Sequence, residues 1–215
     1  MIVAVIGIVR PSIYDGLVSS DIMPGVLSQD LMTVPVSIAV MGLASRIKKK
    51  DYKKQIIILG LLGYFFYAYG IYVIEQVYTI LYYAYLVIFG LSSYSIVYTL
   101  VSLREEIVGK IRLPKSIRLP SAAYSLIIAG IFTALWIGSL YPQIQTGEKL
   151  ENLYSIYILD LCFIMPAFAV TAVLAIKKKI SGLLLMPSLF VLGSPLIGSL
   201  ALGEALKPLA YDTAM

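Results

Sequence analysis

Gln55–Leu103 reads QIIILGLLGYFFYAYGIYVIEQVYTILYYAYLVIFGLSSYSIVYTLVSL. Two apolar stretches, Ile56–Ile74 and Val77–Leu103, are parted only by the polar pair Glu75–Gln76. A hydrocarbon core about 30 Å thick needs roughly 20 helical residues, so each stretch is long enough to cross a bilayer. Ten of the 17 tyrosines of the chain lie here. Lipid tails give a phenol nothing to bond with, so these hydroxyls must reach headgroups or meet partners inside a bundle. The hairpin predicts an all-α fold, a polytopic transmembrane helical bundle.

Composition agrees. Hydrophobic residues make up 60% of the 215 residues and charged residues 13%, against about 25% charged in soluble domains. The mean hydropathy is +0.89, an apolar excess that an ordinary soluble core cannot absorb. Histidine is absent and cysteine occurs once, at Cys162. Histidine-ligated haem or zinc, serine–histidine catalysis and an intrachain disulfide are excluded on residue type alone. The net charge of +5 would point to nucleic acid only if the basic residues shared one face, and they are scattered over three loops.

Outward from the hairpin, the chain divides into six full spans and a partial first one, forming a single bundle over residues 1–215. Met1–Val9 is apolar but too short to cross, and Arg10–Pro11 interrupts it. Pro11–Gln29 reads as a loop, with Ser28 as N-cap and Asp30 in the first turn of the next helix. The six spans fall at about 30–47, 56–74, 77–103, 121–140, 153–176 and 180–202. Trp136 and Tyr141 read as interfacial anchors at the far end of the span over 121–140. Pro187 and Pro195 each delete a backbone donor, which predicts a kinked or broken last span.

Charge sets the expected orientation. Arg46, Lys48, Lys49, Lys50, Lys53 and Lys54 share one loop; Arg104, Lys110, Arg112, Lys115 and Arg118 share a second; Lys177–Lys179 form a third. Of the 17 basic residues only Arg10, Lys149 and Lys207 fall on the opposite side. The positive-inside rule makes the three basic loops cytoplasmic and places the Glu75 turn and the C-terminus outside a cell membrane.

Asp160 is the one charge this reading places inside a span, about 10 Å below its outer end at 1.5 Å per residue. A carboxylate at such depth is costly unless it is paired, wet or neutral, which makes it a site candidate by default. No Lys or Arg lies in a complete span to pair with it. Tyr157 precedes it by one helical turn, Tyr67 lies at matching depth in the span over 56–74, and Tyr82, Tyr83 and Tyr85 at comparable depth in the next. Two readings stay open: a carboxyl–phenol binding site, or an interhelical hydrogen bond that only packs. Gly60, Gly63, Tyr67 and Gly70 recur at spacings of three and four, a stripe that lets a neighbouring backbone approach.

Several segments resemble a family of uncharacterised prokaryotic multi-span membrane proteins. They are Leu62-Gly63-Tyr64-Phe65-Phe66-Tyr67 with Tyr69, Leu81–Ser92 with Tyr85 and Phe89, Leu159-Asp160-Leu161 through Pro166 to the basic turn and Gly182, and Gln29-Asp30-Leu31 ahead of Pro35. The resemblance implies the same bundle with a fuller first helix, and singles out Asp30, Tyr67 and Asp160. It brings no activity with it.

The candidate ligand-binding set is therefore Asp160, Tyr157, Tyr67, Tyr82, Tyr85 and Asp30. The expected function is non-catalytic: binding or transport of a small molecule at an outward-facing pocket near Asp160, within the lipid bilayer. A membrane scaffold or accessory subunit without a ligand site is the alternative. A lone Asp160 makes no aspartyl dyad, so an enzyme ranks last. No cofactor, metal or nucleic acid is expected, and the sequence leaves the oligomeric state open.

Overall fold

A computed structural model describes residues 1–48, 51–106, 113–150 and 152–212. Among them the regular structure is entirely helical: α1 (Ile2–Val9), α2 (Met23–Ser45), α3 (Tyr52–Ile74), α4 (Tyr82–Glu106), α5 (Lys115–Thr146), α6 (Tyr154–Leu159), α7 (Met165–Ile176) and α8 (Ile180–Asp212). A short 3₁₀ turn, Pro11–Tyr14, follows α1, and a π-helical turn, Asp160–Ile164, joins α6 to α7. Six stretches are long and apolar enough to cross a membrane: α2, α3, Tyr82–Ser102 of α4, α5, Tyr154–Ile176 and Ile180–Pro208. The protein is an all-α multi-pass membrane bundle. Lys49, Lys50, Lys110 and Arg112, counted in the loop charges above, lie outside the described residues.

Each helix begins or ends where local chemistry dictates, and several bounds differ from the sequence reading. α2 starts at Met23, with Pro24 in its first turn, where the missing N–H costs nothing. Ser28 is therefore no cap; its hydroxyl donates to the Gly25 carbonyl and lies 3.2 Å from Ser199 Oγ. Asp30 consequently sits well inside the helix, a second interior carboxylate rather than a first-turn acid. α4 starts at Tyr82, not Val77, because Gln76 turns the chain at φ 56° and Thr79 accepts the Leu81 N–H. α5 runs on to Thr146, where Gly147 at φ 73° supplies the left-handed cap and returns its N–H to the Gln143 carbonyl. Trp136 is thus an interior residue of a long helix, not an end anchor.

α3 and α8 form the centre of the bundle. α4 packs on α3, α2 lies against α8 and more lightly α3, and α5 is carried on α7 with only slight contact to α8. The α3–α8 seam is close because Gly60 and Gly63 offer no side chain. A Cβ on Gly60 would overlap the Ser188 carbonyl and lie 2.6 Å from Val191 Cβ, and one on Gly63 would overlap Leu192. Gly70, on the same stripe, instead faces Phe89 and Leu159 at 3.1 and 3.3 Å. Lipid drives no hydrophobic association between helices, so this backbone approach supplies the dispersion contacts that hold the centre.

α8 is not broken at its prolines. Pro187 and Pro195 lie within one uninterrupted helix, Ile180–Asp212. Packing against α2, α3 and α7 holds the backbone helical where each proline leaves a carbonyl without its usual donor.

Candidate functional site

Asp160 opens the π-helical turn. Pro166, two residues past that turn, has no N–H to give the Cys162 carbonyl, and the chain accommodates the loss by widening the turn before it. Such bulges rotate the side chains on either side of them relative to an even helix. Here the turn aims the carboxyl into the bundle, where Asp160 is 6% exposed.

Two neighbours meet that carboxyl. The indole N–H of Trp136 on α5 donates to Asp160 Oδ2 at 2.7 Å, and the Tyr67 phenol on α3 stands close enough to interact with the same side chain. Tyr157 is placed differently from the sequence reading. Its ring meets Trp136 nearly edge-on, with centroids 5.4 Å apart and planes at 80°, so it braces the indole. Glu75, read as a bare turn residue, accepts the Ser155 N–H at 2.6 Å. A carboxylate there satisfies an orphan donor at the start of α6 and complements its dipole. It ties the α3–α4 turn to the helix that carries Asp160.

These groups wall a cavity of about 710 Å³ between α2, α3, α5, α6–α7 and α8. Tyr124, Ile128, Phe132 and Trp136, each four residues apart, turn one face of α5 toward it. Its floor is aromatic: Phe190 lies with its centroid 5.9 Å from Tyr124 and 6.1 Å from Phe168. The opposite end is charged, with Asp21, Glu75, Glu204 and Lys207 around the mouth. Lys207 and Glu204 form an ion pair one helical turn apart.

The other three candidates do not join Asp160. On the far side of α3, Asp30 is 1% exposed. Tyr14 Oη donates to its Oδ2 at 2.6 Å and Tyr72 Oη to its Oδ1 at 3.1 Å. Gly7 of α1 lies directly over the carboxyl, where a Cβ would overlap it. Tyr85 stacks on Tyr72, 4.8 Å between centroids, and its hydroxyl accepts from Thr79 at 3.1 Å. Tyr82 packs edge-on against Tyr85 and donates to the Val73 carbonyl. Tyr14 lies outside the spans; burial and then the Asp30 carboxyl push its phenol well above the ordinary value, so it stays a donor. The Asp30 carboxyl is enclosed by these side chains, whereas the Asp160 carboxyl borders open space.

Next to these lies a third polar knot on α2. Gln29 donates to the Ala68 carbonyl at 3.0 Å, and Tyr64 Oη sits 3.1 Å from the Gln29 carbonyl and 3.0 Å from Thr33 Oγ1. Trp136, Glu75 and the aromatic floor were not singled out as site residues by the sequence. The four-residue recurrence Tyr124, Ile128, Phe132 and Trp136 is the signal that marks the α5 members on one face, and Glu75, Phe168 and Phe190 carry no such signal. Comparison of the chain with protein-family models, with curated proteins and with solved structures returns no match.

Proposed function

We propose that this protein binds, and carries or presents, a small molecule in the cavity at Asp160, entered from the extracytoplasmic side. The observation that carries the reading is a carboxyl group, oriented by Trp136, set in the wall of a cavity of about 710 Å³. Ligand sites commonly measure roughly 300–1,000 Å³ and combine an apolar lining with a few fixed polar groups. Sidedness rests on the 14-to-3 division of basic residues, which puts the Glu75 end of the bundle outside. The role is read as non-catalytic, since the Asp160 carboxyl has no imidazole or thiol beside it in the described lining and the other carboxyls stand apart at the mouth.

The scaffold reading draws on a separate observation. Tyr83, Tyr94 and Tyr98 on α4 are 82%, 78% and 75% exposed, a phenol-bearing face that another membrane protein could cover.

Trp136 is the sole tryptophan, so its emission reports on this site alone. Acrylamide added outside right-side-out proteoliposomes is expected to quench Trp136 as a solvent-reached residue. An emission indifferent to external acrylamide would show the cavity dry or sealed and would remove the binding reading.

A further inference from the structure

Resting on that reading, we infer that the occupant is a single-chain amphiphile with a cationic head, whose head sits at Asp160 and whose apolar chain lies along α5. Three features of the cavity point to it.

Shape comes first. From Trp136 down to Tyr124 is twelve residues of α5, or about 18 Å, and the lining of α8 from Phe190 to Lys207 spans about 25 Å. Spreading about 710 Å³ over that length, and adding about 1.4 Å on each side for the radius of a water molecule, leaves a bore of roughly 9–10 Å. A helix with its side chains is about 10–12 Å across and would have to displace the walls. One extended hydrocarbon chain would not.

Access comes second. α5 and α8 scarcely touch, and the lining residues Tyr124, Ile197 and Leu200 are themselves 50%, 62% and 65% exposed. The slot is therefore open sideways, at the depth of the hydrocarbon, and a chain already in the bilayer can enter without crossing water.

Charge comes third. The walls hold Asp160, and the mouth holds Asp21, Glu75 and Glu204, with Lys207 paired to Glu204. Asp160 accepts from Trp136, stands beside the Tyr67 phenol and keeps lone pairs for a further donor. The indole beside it adds a π face, the best of the aromatic partners for an ammonium. An anionic head would be repelled at both positions. Lipid gives the chain no hydrophobic gain on entering the slot, since its tails are as apolar as the lining. The head supplies the selection and the bore sets the shape.

The test uses nitroxide-labelled octadecyl chains bearing a quaternary ammonium, an alcohol or a sulfate head, titrated into nanodiscs holding the full chain, with Trp136 emission as readout. The ammonium probe is expected to quench saturably at a membrane fraction at least tenfold below the other two. Asp160→Asn should bring it back to the alcohol curve. Gly193 lines the slot, and a Cβ there meets only Phe168 at 3.9 Å, so Gly193→Leu fills the bore without disturbing the helix and should abolish the ammonium effect. Equal quenching by all three heads would overturn the inference. So would tetramethylammonium displacing the long probe with unchanged affinity in Gly193→Leu, although the small-molecule reading would then stand. A dimer dissociated by Gly193→Leu would assign the groove to a second copy and overturn it as well. Failure of every probe, with external acrylamide still quenching, would refute the amphiphile and leave the open cavity.

Discussion

The Asp30 knot makes a prediction whose sign is not obvious. Two phenols, Tyr14 and Tyr72, give their only protons to one carboxyl, at 2.6 and 3.1 Å. Asp30→Leu keeps the side chain's bulk but strands both hydroxyls at a site 1% exposed. Orphaning a buried donor costs about 1–3 kcal/mol in soluble proteins, and membrane hydrogen bonds measured by double-mutant cycles run lower, about 0.6 and at most about 1.7 kcal/mol each. Two of them put Asp30→Leu at roughly 1–4 kcal/mol of destabilisation. The double variant Tyr14→Phe/Tyr72→Phe should also be destabilised, because it leaves the carboxyl without donors. Combining all three substitutions removes both sides of the interaction, and apolar groups of similar shape can replace a satisfied pair at almost no net cost. The triple variant should therefore be more stable than the sum of its parts by about 1 kcal/mol or more. Reversible unfolding of the purified protein in mixed micelles, followed by far-UV circular dichroism against denaturant, measures each corner of the cycle. Strict additivity would refute the reasoning, since it would mean that the two hydroxyls and the carboxyl do not depend on one another.

Further outcomes follow from the packing and the charges. Gly60→Ala should destabilise the bundle by about 1–3 kcal/mol through overpacking against α8, while Gly90→Ala, with nothing within 4 Å of its Cβ, should be neutral or mildly stabilising; comparing their thermal denaturation in detergent decides it. In a Cys162→Ala background, membrane-impermeant maleimide should label Glu148→Cys but not Lys177→Cys in intact cells, and the reverse pattern would invert the bundle. Asp51 caps α3 by accepting from Lys54, whose side chain holds the carboxyl below the usual range. That contribution is present above the ordinary carboxylate value and is withdrawn as pH falls through the lowered one, which hydrogen exchange of the first α3 amides should follow. Asp51→Ala should make the same amides exchange quickly at every pH.

The bundle was legible because its cause is local: an apolar run of sufficient length in lipid has no alternative to helix. Asp160 and Tyr67 were legible for a related reason, since a carboxyl with no cation in any span must find neutral donors at its own depth. The partner Trp136 was not, because Tyr141-Pro142 resembles the end of a span, and the helix continues past it to a cap that only Gly147 could have signalled. Asp30 was misplaced by Ser28, which reads as an N-cap until Pro24 is allowed to sit in the first turn. The polar stripe Asp30, Thr33 and Ser37, on one helical face, was the overlooked sign of an interior position. The separation of Tyr82 and Tyr85 from Asp160 depends on the rotation of α4 about its own axis, which depth alone does not determine.

The widened turn at Asp160–Ile164 also sets how this chain can change. A π turn holds one more residue than the α turn it replaces. Deleting a single residue within it would restore even winding and leave a sound membrane-crossing helix. Because each kind of turn closes one revolution, the segments on either side would stay in phase, whereas the same deletion in the regular helix beside it would swing them by about 100°. A deletion beside the turn would be silent to any measure of helicity, yet it would pull the Glu75–Ser155 tether out of line with the rest of the bundle. The widened turn is thus a place where the chain can shed one codon while its two halves keep their facing.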